Sequence, residues 1–118
     1  MRIKKVQENG IVEISIIGEI KFSNWERLVQ ETLDAFEDGA SAVLLDWSEV
    51  SYFDSSALQG LVAIYNYVKR ENDKKLVLFT DKGAHMHLFE LTSFMKLLPI
   101  FNSKKEALKY ATLSLTEV

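Results

Sequence analysis

The stretch Ala42-Val-Leu-Leu-Asp-Trp-Ser-Glu-Val-Ser-Tyr-Phe-Asp-Ser-Ser-Ala-Leu-Gln-Gly-Leu-Val-Ala-Ile-Tyr-Asn-Tyr-Val-Lys-Arg70 decides the fold. Ala42, Val43, Leu44 and Leu45 form a short unbroken apolar run, the pattern of a buried strand, which predicts a strand over 42–47. After Tyr52 and Phe53 come Asp54, Ser55 and Ser56, and then the periodicity changes. Leu58, Leu61, Val62, Tyr65 and Val68 recur at spacings of three and four, so they share one face of a helix predicted over 56–71. Two hydroxyls therefore stand where a helix begins, beside unpaired backbone N–H groups and the positive end of the helix dipole. Such a position favours a bound or covalently attached phosphate. It equally suits a plain cap: Ser56 and Gln59 form an S-x-x-Q capping box, a device that stabilises a helix start by roughly 1 kcal/mol. Both uses are compatible with the residues.

Outward from this segment, strands and helices alternate. Ile3 to Val6 reads as a first strand, turned at Glu8-Asn9-Gly10, because Asn-Gly is a hairpin signal. Ile11 to Ile17 is rich in β-branched residues and reads as the second strand, ended by Gly18. Ser23 with Glu26 predicts a capping box, and Trp25, Leu28, Val29, Thr32, Leu33 and Phe36 mark the buried face of the helix that follows, closed by Asp38-Gly39. Beyond Glu71-Asn72-Asp73 the pattern predicts a strand over Leu76–Phe79, a short helix over Ala84–Leu91 and a strand around Leu97–Phe101. Ser103 and Glu106 cap a last helix with Ala107, Leu108 and Ala111 inward. No linker or repeat divides the chain. The order predicts one α/β domain over 1–118, a mixed and mostly parallel β-sheet with an N-terminal hairpin and about four helices.

Composition limits the function classes. The chain has 118 residues, enough for one core without covalent staples. It has no cysteine, which excludes disulfides and thiolate metal sites and suits a reducing compartment. The net charge is −3, and no basic cluster exceeds the Lys-Lys pairs at 4–5, 74–75 and 104–105. Direct binding to nucleic acid or to an anionic membrane is not expected. With no signal-like or membrane-spanning apolar run, a cytoplasmic protein is expected.

Other chemistries fit poorly. His85 and His87 are the only histidines and lie two apart on a predicted helix, so they diverge, and no metal site is expected. A serine at a strand-to-helix turn with Asp81 and His85 downstream has the residue order of a hydrolase triad, but the glycines of G-x-S-x-G are missing. No phosphate-binding glycine motif for a nucleotide is present. Trp25, Trp47, Phe36, Phe79 and Phe101 are expected in the core. Phe53, Phe89, Phe94 and Met95 fit either the core or an apolar contact patch.

The run LLDWSEVSYFDSSALQGL resembles the signature of the STAS domain family, a buried strand followed by V-x-[YF]-[ILMF]-D-S-S-G-L and a helix. Val50, Tyr52, Phe53, Asp54, Ser55, Ser56 and Leu58 match it. Gly18-Glu19-Ile20 resembles the family's G-E-[LI]-D turn, and LLPIFNSKKEALKYA its closing strand and helix. For a free-standing domain the resemblance implies a bacterial anti-sigma factor antagonist, a binding module and not an enzyme, without a cofactor of its own. Its implied partners are an anti-sigma factor serine kinase, which supplies ATP, and a phosphatase. Ser55 is the implied phospho-acceptor, and Asp54, Ser56, Ala57 and Lys21 belong to the implied partner-binding surface. Three residues depart from the family pattern: Ala57 and Ser93 replace glycines, and Lys21 replaces the aspartate of G-E-[LI]-D. Lys21 and Ala57 keep open an alternative, a non-phosphorylated STAS interaction or scaffold module in a bacterial signalling complex.

Overall fold

A computed structural model of the chain describes residues 1–113, so residues 114–118 of the expected 1–118 domain lie outside the described residues. The elements are β1 (Arg2–Glu8), β2 (Ile11–Ile20), α1 (Trp25–Glu37), β3 (Ala42–Phe53), α2 (Ser55–Arg70), β4 (Lys75–Phe79), α3 (Gly83–Leu91), a 3-10 turn (Phe94–Lys96), β5 (Ile100–Phe101) and α4 (Lys104–Thr112). The strands lie in chain order, β1-β2-β3-β4-β5. β1 and β2 are antiparallel, and the remaining pairings are parallel. Asn9 and Gly10 both take positive φ, 54° and 79°, as a two-residue hairpin turn requires.

Alternation along β3 divides the interior into two layers. Val43, Leu45 and Trp47 join Leu28 and Phe36 of α1, Ala57, Leu61 and Ile64 of α2, and Phe89 of α3 in the larger cluster. Ala42 and Leu44 join Val77, Phe79, Ala107 and Ala111 in the smaller one, under α4. Lysines fasten both ends of α4. Lys104 in its first turn pairs with Glu13 and, at 3.4 Å, with Asp46. These partners, the Glu13 hydrogen bond first, raise the Lys104 pKa. Lys75 Nζ donates to the Tyr110 carbonyl at 2.9 Å and to that of Leu113, at the negative end of the helix dipole.

Several boundaries differ from the sequence pattern. Gly18 does not end β2 but passes through it at φ +103°, where the β2–β3 register shifts, and the strand runs on to Ile20. β3 continues to Phe53 instead of stopping at 47, with Val50 and Phe53 still buried. A strand bulged against its neighbour keeps pairing while its side-chain alternation slips, which hides it from a period-two reading. The expected Leu97–Phe101 strand shortens to two residues after the 3-10 turn. Ser93 sits at φ 62°, the left-handed conformation that glycine adopts without strain. Ser23 is not the cap of α1: Asn24 occupies that position.

The two central helices touch at Gly60, where an added Cβ would lie 3.3 Å from both Trp25 and Val29 side chains. Gly60→Val is expected to force α1 and α2 apart and to lower stability by about 2 kcal/mol, read from the urea unfolding midpoint.

Candidate functional site: the β3–α2 turn

The C-terminal ends of β2 and β3 are paired to their last residues, Ile20 against Phe53. The Asp54 N–H continues the ladder, donating to the Ile20 carbonyl at 3.2 Å. This bond sets the β2–α1 loop (21–24) beside the start of α2. Asp54, in extended conformation, is the N-cap, and its carboxylate Oδ1 accepts from the Ser56 N–H at 2.8 Å. The cap is thus neither serine. Ser55 and Ser56 are the first two residues of the helix, and the expected Ser56–Gln59 capping box is absent because Ser56 already lies inside it.

Helical phase then separates the signature residues. Ser56, Ala57, Gly60, Leu61 and Ile64 form the buried stripe of α2. Ser56 keeps 8% of its surface and Ala57 none, while Ser55 is exposed and Asp54 half-buried. Ala57 and Ser56 were both expected on a partner-binding surface. Ala57 offers no surface to a partner, and Ser56 almost none, because both face the core. The same turn alters the phosphate reading. The helix end is already occupied by the Asp54 carboxylate, so a phosphate on Ser55 would enter beside an anion and not an empty cradle of N–H groups.

Lys21 is exposed and pairs with Glu19 at 3.2 Å, an exposed contact that contributes little to stability. Asn24 holds the loop closed: its Oδ1 accepts from the Lys21 N–H and its Nδ2 donates to the Glu19 carbonyl, both at 2.9 Å. Phe22, which no sequence pattern singled out, is 82% exposed on that loop. The only signal for it is negative, an aromatic residue outside every predicted hydrophobic stripe.

Behind the turn lies an aromatic wedge. Phe53 stacks on Phe89 with centroids 5.5 Å apart and meets Trp47 edge-on at 5.4 Å. Phe53, Phe89 and Phe94 are therefore core residues, and of the four ambiguous apolar residues Met95 alone is exposed. His85 is buried, its ring edge-on to Phe53 at 5.6 Å. Its Nδ1 lies 2.7 Å from Thr80 Oγ1. Thr80 Oγ1 also accepts from the Lys82 N–H at 3.3 Å. Held by Thr80 and packed on Phe53, His85 ties α3 to the ends of β4 and β3 and is committed away from Ser55. The triad order in the sequence therefore reflects no assembled triad. His87 is exposed, and among the described residues no group of three or more His, Asp or Glu side chains is placed to hold a metal. No helix among the described residues is long and apolar enough to cross a membrane.

This arrangement is that of a known class. The STAS domain family model matches residues 2–107, and the chain belongs to the STAS domain family. It is similar to the anti-sigma-B factor antagonist of Listeria monocytogenes, 30% identical over 103 residues, covering 86% of this chain and 89% of that protein. The crystal structure of an anti-sigma factor antagonist from Mycobacterium paratuberculosis shares the fold with a TM-score of 0.84 at 22% identity, covering 93% of this chain and 92% of that one. The phosphorylated form of the Bacillus cell fate determinant SpoIIAA shares it with a TM-score of 0.68 at 14% identity, covering 92% and 98%.

Two measurements check this geometry. Asp54→Ala removes the side-chain cap and is expected to cost about 1 kcal/mol in urea unfolding, whereas Ser55→Ala is expected to be near neutral. Burial lowers the His85 pKa below its ordinary 6.5. The unfolded chain then binds a proton that the folded chain refuses, so this contribution is complete above 6.5 and is lost as pH falls toward the folded value. Stability compared at neutral and mildly acidic pH is expected to drop more in the parent protein than in His85→Gln.

Proposed function

We infer that the chain is an anti-sigma factor antagonist, a binding module whose docking surface is the β3–α2 turn and whose switch is phosphorylation of Ser55 by its anti-sigma factor partner. The observation that carries this reading is the separation of the two serines. Asp54 does the capping and Ser56 is buried, so Ser55 presents a hydroxyl on the rigid first turn of α2 that the fold does not use. The names of the Listeria and Mycobacterium relatives support the same class.

The chemistry is the partner's. The Ser55 hydroxyl oxygen attacks the γ-phosphorus of ATP, the bond to the ADP leaving group breaks, and the hydroxyl proton passes to a base of the kinase. The product adds close to two negative charges at pH 7 next to the Asp54 carboxylate. Burying that paired charge in an interface carries a like-charge and a desolvation penalty, so the modified turn disfavours docking while the fold persists. A phosphatase resets the switch by hydrolysing the ester. Lys21, held by Glu19, stands on the neighbouring loop as a cation at the rim of the same surface.

Intact-mass spectrometry of the protein from its native cells, with mapping of the α2 peptide, tests the reading. The expected result is a gain of about 80 Da, one phosphoryl group, on Ser55. Partner capture is expected with Ser55→Ala and lost with Ser55→Asp. Equal capture by the two variants, or a chain unmodified in both growth and stress, overturns the switch in favour of a constitutive scaffold.

A further inference from the structure

We propose that Phe22 is the anchor by which the kinase that modifies Ser55 grips this protein, an inference that rests on the reading of Ser55 as its phospho-acceptor. Ser55 is fixed in the first turn of a helix, so it cannot be threaded into an active site as an extended peptide. A kinase must read it in its folded setting, by surfaces that lie around it. A stable protein contact covers about 800 Å² on each partner, a footprint that extends from Ser55 over the adjoining loop.

What the loop offers there is Phe22. It follows Lys21, one residue beyond the Ile20 carbonyl that receives the Asp54 N–H. At 82% exposure it is the most exposed large apolar side chain among the described residues, and Tyr52, 53% exposed, lies on the neighbouring strand opposite Glu19. The loop is pre-formed. Besides the two side-chain bonds of Asn24, the Asn24 and Trp25 N–H groups both donate to the Lys21 carbonyl, at 2.9 and 3.0 Å. On a loop whose backbone is already held, an aromatic has only its own side-chain torsions to fix on docking, and central aromatics are the residues on which interface energy concentrates. The matching surface on the kinase is an apolar pocket beside its active-site cleft. The Glu19–Lys21 pair at the rim of Phe22 presents both signs of charge, so neither a strongly acidic nor a strongly basic pocket wall is called for.

The test uses the full chain and the kinase purified by following ATP-dependent phosphate transfer to Ser55. Phe22→Ala is expected to raise KM for this transfer about tenfold or more, with kcat unchanged, because an anchor acts in binding and not in chemistry. The melting temperature is expected to stay at the parent value, since Phe22 has little buried surface to lose. Leu91→Ala, which removes another exposed apolar side chain (67%) from α3, is the control and is expected to leave KM unchanged. Transfer to Phe22→Ala at the parent KM, or an equal rise with Leu91→Ala, overturns the anchor and leaves the Ser55 reading standing. Absence of any transfer to Ser55 in the parent chain overturns that reading and the anchor with it.

Discussion

The hydrogen bond from the Ser56 N–H to the Asp54 carboxylate, 2.8 Å long, is the contact on which the site depends. A helix start needs an acceptor for its first N–H groups, and whichever side chain supplies it is no longer free for other work. Because Asp54 supplies it, Ser55 becomes the first residue inside the helix and not the residue before it. That one-residue offset fixes the phase of α2. It turns Ser56 and Ala57 into the core with Gly60, Leu61 and Ile64, and it turns Ser55 outward.

The turn is rigid because both sides are held. In front, the parallel ladder between β2 and β3 runs to its end and continues through the Asp54 N–H to Ile20, so the loop carrying Lys21 and Phe22 is registered against the helix start. Behind, Phe53 is clamped between Trp47, Phe89 and His85. Asp54 follows Phe53 directly, so packing of this wedge sets where the cap sits. A switch that acts by adding charge needs such a frame, since a turn free to move would relieve the repulsion by bending.

Much of this was legible in the chain. The Asn-Gly hairpin, the apolar run 42–45, the helix after Asp54 and the Ser103–Glu106 cap all appear in the structure, because each arises from contacts local in sequence. Of the residues expected on the inward face of that helix, Leu61 is buried, Leu58, Tyr65 and Val68 are half-buried and Val62 is exposed, because the core-facing stripe runs through Ala57, Gly60, Leu61 and Ile64. The differences cluster where two strands meet. β2 runs past Gly18 and β3 past residue 47, beyond what their own patterns predict, because their last residues are strand only by virtue of each other. Likewise Asn24, not Ser23, takes the N-cap position of α1, and its side chain is spent on Glu19 and Lys21 and not on the helix, an arrangement that requires β2 to extend that far.

By itself, then, the sequence determined the class of fold and the family signature in the 42–70 segment, since hydrophobic period and the D-S-S run are written in consecutive residues. Tertiary structure decided which members of that segment reach solvent. Exposure of Ser55, burial of Ser56 and Ala57 and the prominence of Phe22 depend on the cap and on the register of two strands that lie about thirty residues apart in the chain. Local propensity cannot encode a phase that a distant neighbour sets.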